Sequence, residues 1–449
     1  MSRASKSAEP VVELDDVQVH FEAHGSSFFG EQKVVKAVDE VDLTIYENDV
    51  VVLVGESGCG KTTLGKTAIG LQRPTGGTVR YRGQDVHDAM DGTGTVNIPF
   101  ERIRRSLQII HQDPGSSLNP NRTVLTNLAV PMKKYRPDLG SNQREEVVHK
   151  LLERVGITPA TDYATRFPHQ LSGGEQQRVA LARSLLMEPD LILADEAVSA
   201  LDVSLRVQMM DLMLDLRDLF DTSYLVVSHD FANARYLAEK ADGRIGVMYL
   251  GKLVEIGTVD ELIRNPKHPY TQVLIWSTPM LDPRSAAEMS TDDPPVRSID
   301  IPTPDDPPGG CHFHTRCPVI IPPADLDIEQ HAYNDIIDLR LDIEDEDVDV
   351  ERVWAALDAD GPELSETERS ELASEFAVTA RKLLVDADLN DEHREVVERA
   401  LEDVATDDWE RAAETLRSKY ESVCERKQPQ LQSEHPVACH LYDDEAVTE

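Results

Sequence analysis

The chain has 449 residues, with 45 Lys and Arg against 83 Asp and Glu, a formal net charge of −38. Hydrophobic residues make up 40% and aromatics 5%, which is enough apolar material for real cores and excludes a wholly disordered chain. The length predicts roughly 2–4 domains. A balance this acidic excludes a sequence-independent grip on nucleic acid and electrostatic docking to anionic lipid, since both need a basic face.

Lysine is scarce, at 14 against 31 Arg. Few lysines and a large acidic excess suit a halophilic protein, haloarchaeal by expectation, that stays soluble where salt shortens charge repulsion to about 3 Å. The alternative is an ordinary acidic protein with one acidic insert. No run of 18 apolar residues occurs, so no membrane-spanning helix is predicted. The N-terminus MSRASKSAEP lacks an apolar core segment, and secretion by a signal peptide is not expected.

Residues 1–10 read as a tail. Residues 11–23 partly alternate apolar and polar, as a half-buried strand does. A loop follows at 24–33, then a second strand pattern from Val34 to Ile45. Asn48-Asp49 turns into the wholly apolar run 50–54, a buried central strand. Lys61 to Leu71 reads as a helix. Amphipathic stretches such as 144–156 predict a helical insertion over about 113–170. Further buried strands are expected at 191–195 and 223–228. Strands alternating with helices argue for an α/β core with a largely parallel sheet.

The Pro-, Asp- and Ser-rich stretch 279–310 reads as a linker. Residues 321–420 hold 31 acidic and 10 basic residues, −21 of the total −38. Helical spacing appears in 351–360, from Glu363 to Leu384, and in one long run over 393–423. The run 342–351 reads as a solvated loop or helix edge. The whole is read as an acidic helical insert, 319–420.

Gly55-Glu56-Ser57-Gly58-Cys59-Gly60-Lys61-Thr62 fits the phosphate-loop pattern G-x-x-x-x-G-K-[ST], with Thr63 following, and sits between a buried strand and a helix. Glycines let successive backbone N–H groups turn inward around phosphate oxygens. The helix starting near Lys61 aims its positive end at the same anion. Lys61 neutralises phosphate charge and Thr62 offers a hydroxyl to Mg²⁺. The second element is 191–196, an apolar strand ending in Asp195, which can hold Mg²⁺ through water, and Glu196, which can polarise an attacking water. Cys59 reads as filler within the loop. Together these predict a nucleotide hydrolase.

Leu171-Ser172-Gly173-Gly174-Glu175-Gln176-Gln177-Arg178 resembles the signature sequence of ABC transporters. Ser172 and the Gly173 and Gly174 amides would open the helix 175–187 and offer a second positive end to an anion. In that family the anion is the γ-phosphate bound by another subunit, so the resemblance implies a working pair of chains. It also implies roles for Gln112 as the Q-loop glutamine that contacts Mg²⁺ and water, for Asp202 in the D-loop Ser199–Asp202, and for His229 as the switch histidine. An aromatic near the start of the domain stacks on adenine in the family; Phe28 or Phe29 is the candidate.

Residues 247–279, 112–124, 310–318 and 423–442 are similar to the oligopeptide/dipeptide branch of ABC ATPases, and details lean towards the second of its two paired ATPases. The resemblance covers about 11–318 and 421–442 and omits 319–420. It departs at Ala197, where the branch commonly has Pro. What it implies is an α/β phosphate-loop ATPase core (11–278) with an antiparallel β subdomain and an α-helical subdomain. A Cys-containing C-terminal region (279–318 and 421–449) follows, interrupted by the insert. Implied partners are two transmembrane permeases, a second paralogous ATPase and, indirectly, an extracellular solute-binding protein, at the cytoplasmic face of the membrane. The implied function is ATP-driven uptake of di- or oligopeptides. The same branch carries nickel, glutathione or sugars, and a soluble regulatory ABC ATPase is the alternative from another class.

Cys311, Cys317, Cys424 and Cys439 are spaced C-x5-C, 106 residues, C-x14-C. Four thiolates can hold a [4Fe–4S] cluster or Zn²⁺, and free thiols or two disulfides are the remaining readings. The family resemblance implies the [4Fe–4S] cluster. The insert must then leave and return at nearly one point. His312, His314 and His440 could assist zinc or be loop histidines.

Overall fold

The computed structural model describes residues 9–22, 34–278, 296–297, 301–359, 364–432 and 435–443. They divide into two compact units. The first takes in 1–291, 303–307 and 433–437; the second takes in 292–302, 308–432 and 438–449.

The first unit holds two sheets. Strands β1 (Pro10–Glu22), β2 (Val34–Tyr46), β4 (Gly76–Tyr81) and β5 (Gln84–Asp85) form an antiparallel sheet in the order β2-β1-β4-β5. The alternation in β1 is only partial for a structural reason. Asp16 has a φ of 49°, and the register shifts between Leu14↔Leu43 and Val17↔Val41. This bulge changes the phase, so Val12 and Leu14 before it and Val17 and Val19 after it all face the core.

The second sheet has the order β10-β9-β3-β8-β7-β6. Its members are β3 (Val50–Val54), β6 (Leu107–Ile110), β7 (Leu191–Asp195), β8 (Ser223–Val227), β9 (Arg244–Tyr249) and β10 (Lys252–Thr258). All pairs are parallel except β10–β9. Every residue of β3, β7 and β8 is buried, which is why β3 reads as an unbroken apolar run and β7 and β8 as runs apolar but for one terminal residue. Truncating Leu53 or Leu193 to Ala would cost about 2–5 kcal/mol. Sequence periodicity did not indicate β10, the antiparallel edge strand. Its turn from β9 runs through Leu250 and Gly251, at φ 39° and 82°, the positive-φ pair a tight hairpin requires.

The first helix is Lys61–Ala68, shorter than expected. Between β6 and β7 lie the helices Val124–Tyr135, Ser141–Arg154 and Ala160–Ala164, followed by Gly173–Leu185. Thr123 caps the first of them by accepting from Thr126 N, and Val148, Leu151 and Leu152 bury one face of the second.

The second unit is built on helices Gln330–Glu344, Val350–Ala356, Glu366–Leu384, Asp391–Ala405 and Trp409–Tyr420. Tyr333, Ile336, Ile337, Phe376, Leu401 and Tyr420 fill its core. Arg340 is fully buried among them and pairs with Glu344 at 3.3 Å and with Glu425. The long helical run expected over 393–423 is broken. Asp407 takes a φ of 66°, and Asp408 caps the next helix by accepting from Arg411 N. Two consecutive aspartates, one tolerant of the left-handed region and one a good cap, end one helix and begin another. Within 342–351, residues 342–344 finish a helix and Asp349 caps the one that follows.

Residues 311–333 and 420–424, at either side of these helices, come together. Ser422 Oγ donates to Ile321 O at 2.6 Å, Tyr333 Oη to Tyr420 O at 2.9 Å, and Cys311 N to Cys424 O at 2.7 Å. No helix among the described residues is long and apolar enough to cross a membrane.

Candidate nucleotide site

The phosphate loop joins β3 to the helix Lys61–Ala68. Two of its glycines are required by contact as well as by conformation. Gly55 has a φ of 149°, and a Cβ there would lie 2.1 Å from Met248 O; Gly60 has a φ of 101°, and a Cβ would lie 1.9 Å from Ala37 O. Ser57 and Gly58 are exposed at the loop's rim, while Thr63 lies half-buried in the helix's first turn. Lys61 is buried, and its Nζ donates to Gly55 O at 2.8 Å and to Glu56 O at 2.7 Å. Cys59 is buried against it, Sγ 3.6 Å from Nζ; burial raises this thiol's pKa although Lys61 pulls the other way.

Sheet register brings the acidic residues to the loop. Leu53 pairs with Val227, and Val227 pairs with Asp195. Asp195 therefore ends its strand level with the start of the loop, and Thr62 Oγ1 donates to Asp195 Oδ1 at 2.7 Å. Glu196, next in the chain, has a φ of 49°, in the left-handed region uncommon for a residue other than glycine. Its N–H donates to Val227 O, and its own carbonyl accepts from Ser199 N and Oγ.

Two separate segments then converge on the Glu196 carboxylate. Gln112 Nε2 donates to Oε2 at 2.9 Å, and His229 Nδ1 lies 3.3 Å from Oε1. Expected site residues 112, 195, 196 and 229 thus meet beside the loop.

Ser172 caps the helix Gly173–Leu185 in a reciprocal box with Glu175. Glu175 Oε2 accepts from Ser172 N at 2.7 Å and from Ser172 Oγ at 2.9 Å, while Oε1 accepts from Tyr163 Oη. Nothing lies within 4 Å of a Cβ placed on Gly173, so this helix tip is open on that side, and Gly174 packs towards Leu201 and Leu205. These residues do not contact the phosphate loop in hydrogen bonds of this chain. Asp202 caps Val203–Phe220 by accepting from Leu205 N at 3.0 Å. Phe28 and Phe29 lie outside the described residues.

Sequence reasoning missed several participants. Gln177, almost fully buried, donates to Gln112 O at 3.1 Å and ties the signature helix to the Gln112 segment. It occupies the buried stripe with Gly174 and Leu181, and a polar residue on an otherwise apolar stripe was the available signal. Arg206 donates to Leu201 O at 3.1 Å and pairs with Asp230 at 3.2 Å, bracing the segment 199–202. Tyr270 accepts from Glu56 N at 2.9 Å; no local pattern could have paired residues 214 apart. Away from these residues, a cavity of about 830 Å³ is lined by Met132, Arg136, Leu151, Leu186 and Phe220, among others, and shares none of the site's side chains.

Cys311, Cys317, Cys424 and Cys439 all fall in the second unit, and none is in a disulfide. The Cys311 thiol is pushed well above its ordinary value by burial and next by Cys424, with Cys317 and Cys439 adding to it. Burial drives Cys317 up to about 12 and also raises Cys424. Four cysteines, two buried and two partly buried, near enough to raise one another's pKa, suit a thiolate-bound metal in kind and number. Among the described residues, however, no three His, Cys, Asp or Glu side chains are arranged as a ready metal-holding group. His314 Nδ1 and His440 Nε2 are each engaged with a backbone carbonyl, of Cys311 and Lys427.

A phosphate loop, a strand-end Asp-Glu pair and an open capped helix tip on this pair of sheets define an ATPase of the ABC class. The comparisons agree. A family model described as "ABC transporter" matches residues 38–199, and one described as "Oligopeptide/dipeptide transporter, C-terminal region" matches 254–322. A domain of unknown function, DUF8228, matches 330–436. The chain is 40% identical over 318 residues to the oligopeptide transport ATP-binding protein AppF of Bacillus subtilis, covering 70% of this chain and 91% of that one. It is 37% identical to OppF of Escherichia coli, an oligopeptide transport ATP-binding protein, over 72% of this chain and 92% of that one. With the dipeptide transport ATP-binding protein DppF of E. coli it shares 38% identity over 69% of this chain and 87% of the other. This chain belongs to the oligopeptide/dipeptide family of ABC transporter ATP-binding proteins.

Proposed function

We propose that the chain is the ATP-hydrolysing subunit of an importer of di- or oligopeptides, working with two permeases, a paralogous ATPase and a solute-binding protein. The observation that carries the reading is the convergence of Gln112 and His229 on Glu196 beside the Thr62–Asp195 pair, in a chain whose relatives are named for oligopeptide and dipeptide transport. In this reading the amides of residues 58–63 and Lys61 hold the phosphates. Thr62, Asp195 and Gln112 would hold Mg²⁺, which supplies charge neutralisation across the phosphate oxygens. Glu196 polarises the attacking water and His229 contacts the γ-phosphate. Catalysis rests on positioning and electrostatics. Ser172, Gly173 and Gly174 meet the nucleotide of the partner ATPase, with Asp202 beside that junction; the open side of Gly173 supports this.

Expressed with its transport partners, the chain should co-purify with two permeases and a second ATPase and drive ATP-dependent peptide accumulation in vesicles. A chain that hydrolyses ATP but associates with no permease is the soluble regulatory ATPase instead.

Cys311, Cys317, Cys424 and Cys439 would hold a [4Fe–4S] cluster, with zinc as the alternative. Its contribution would be to staple the C-terminal region on either side of the insert. An anaerobic preparation with absorption near 400 nm and about four irons per chain supports the cluster; stoichiometric zinc without colour overturns it. The domain limits proposed are 11–278 for the ATPase, 279–318 with 421–449 for the C-terminal region, and 319–420 for the insert. The acidic excess is assigned to function in high salt, which activity rising with salt into the molar range would support and activity lost there would overturn.

A further inference from the structure

The Gly55–Glu56 peptide is gripped from both sides. Its carbonyl oxygen accepts from Lys61 Nζ at 2.8 Å, and its N–H donates to Tyr270 Oη at 2.9 Å. The first contact is internal to the loop. The second comes from a helix, Pro269–Trp276, 214 residues further along the chain. Tyr270 is itself fully buried, with its ring against Tyr249, centroids 4.7 Å apart.

The start of that helix is fixed by a buried carboxylate. Glu255, on β10, is fully buried. It accepts from Lys267 N at 2.9 Å and from His268 N at 3.0 Å, and it pairs with His435 Nε2 at 2.8 Å. His268 Nδ1 in turn accepts from Tyr270 N at 3.1 Å. Burial depresses the His268 pKa to about 3, which keeps that nitrogen an acceptor. The third partner, His435, belongs to the short segment 435–437, which rejoins the first unit after the insert. That segment is held by Ile256 N donating to Pro436 O and by an antiparallel bridge between Glu255 and Val437. In sequence it lies between Cys424 and Cys439.

We propose that Tyr270 is a positioning residue for the phosphate loop, and that the returning segment 435–437 sets Tyr270 in place through Glu255 and the backbone of 267–268. The physical reason is preorganisation. A loop that must present several amides inward binds phosphate more tightly when its first peptide plane is already fixed, because ordering it on binding costs conformational entropy. A buried carboxylate that loses one of its partners is costly, so loss of His435, 2.8 Å from Glu255, would shift the Glu255 contacts and, through them, Tyr270. The proposal rests on the chain being an ABC ATPase and adds a point at which its C-terminal region acts on the nucleotide site.

The test uses the full chain with Tyr270→Phe, which keeps the ring packing and removes the oxygen, and with His435→Gln. ADP affinity, steady-state ATP hydrolysis and hydrogen exchange of peptides spanning 50–60 are measured for each. Tyr270→Phe should weaken nucleotide binding and raise the KM for ATP about tenfold, change kcat less, and speed exchange at the loop. Tm without nucleotide should move little. His435→Gln should act in the same direction, and the double variant should be less than additive. Unchanged affinity, KM and loop exchange in Tyr270→Phe overturn the proposal. If that variant fails to fold, unchanged loop exchange and KM in a folded His435→Gln overturn it, and a raised KM with faster loop exchange supports it. A wild-type chain that neither binds nor hydrolyses ATP would refute the ATPase reading, a result separate from these.

Discussion

Glu196→Gln isolates one chemical act. The change is isosteric, so Gln112 Nε2, now 2.9 Å from Oε2, can still find an oxygen at the same place. The phosphate loop, Thr62 and Asp195 make no hydrogen bond to the Glu196 side chain, so nucleotide binding should survive. What disappears is the basicity that polarises water. Proton transfer by a positioned carboxylate is worth about 10²–10⁴ in rate, or about 2.7–5.4 kcal/mol of barrier at 1.36 kcal/mol per decade. Phosphate release under saturating ATP and Mg²⁺ should fall by that factor. Because bound ATP is no longer consumed, it should also stabilise the fold, by about 2.7 kcal/mol at a hundredfold excess over its Kd, and the variant should run as a larger assembly with its partner ATPase in ATP. Turnover within threefold of wild type would refute the reasoning, because the convergence of Gln112 and His229 on this carboxylate would then have no catalytic meaning.

Thr62→Ala removes the hydroxyl that donates to Asp195 at 2.7 Å; nucleotide affinity should fall roughly tenfold with Mg²⁺ present and little in EDTA, as read by equilibrium titration. Arg340→Met removes a fully buried guanidinium from its partly buried partners Glu344 and Glu425, and denaturant unfolding should show a loss of about 3 kcal/mol; a loss below about 1 kcal/mol would contradict the burial described. His268, with its pKa lowered to about 3 by burial, stays neutral in the folded chain while the unfolded chain takes a proton below about pH 6.5. The unfolded state therefore binds more protons between about pH 6.5 and 3, and stability falls as pH falls through that window, by at most about 1.4 kcal/mol per unit. His268→Asn keeps an acceptor for Tyr270 N; the gap between wild type and variant, measured by urea unfolding, should be smaller at pH 5 than at pH 7, and an unchanged gap would refute the assignment.

The sequence by itself determined what short-range geometry can encode. The phosphate loop is local: its glycines, lysine and threonine act within eight residues, flanked by a strand whose five residues are all buried. The cap at Ser172 and Glu175 is equally local, closing over three residues. The buried strands expected at 191–195 and 223–228 were legible because central strands covered on both faces are apolar along most of their length. Local pattern failed where local choices compete, as at Asp407-Asp408, where two caps divide one apparent helix. Tertiary structure alone decided which distant residues meet. Asp195 reaches Thr62 because three parallel strands share a register, and Glu196 meets Gln112 and His229 because loops from different strands end on one sheet edge. Tyr270 holds Glu56, and His435 reaches Glu255, across 214 and 180 residues of chain. Spacing along a sequence carries the periods of helices and strands, about 3.6 and 2 residues. It carries no record of contacts made only when separate elements pack together.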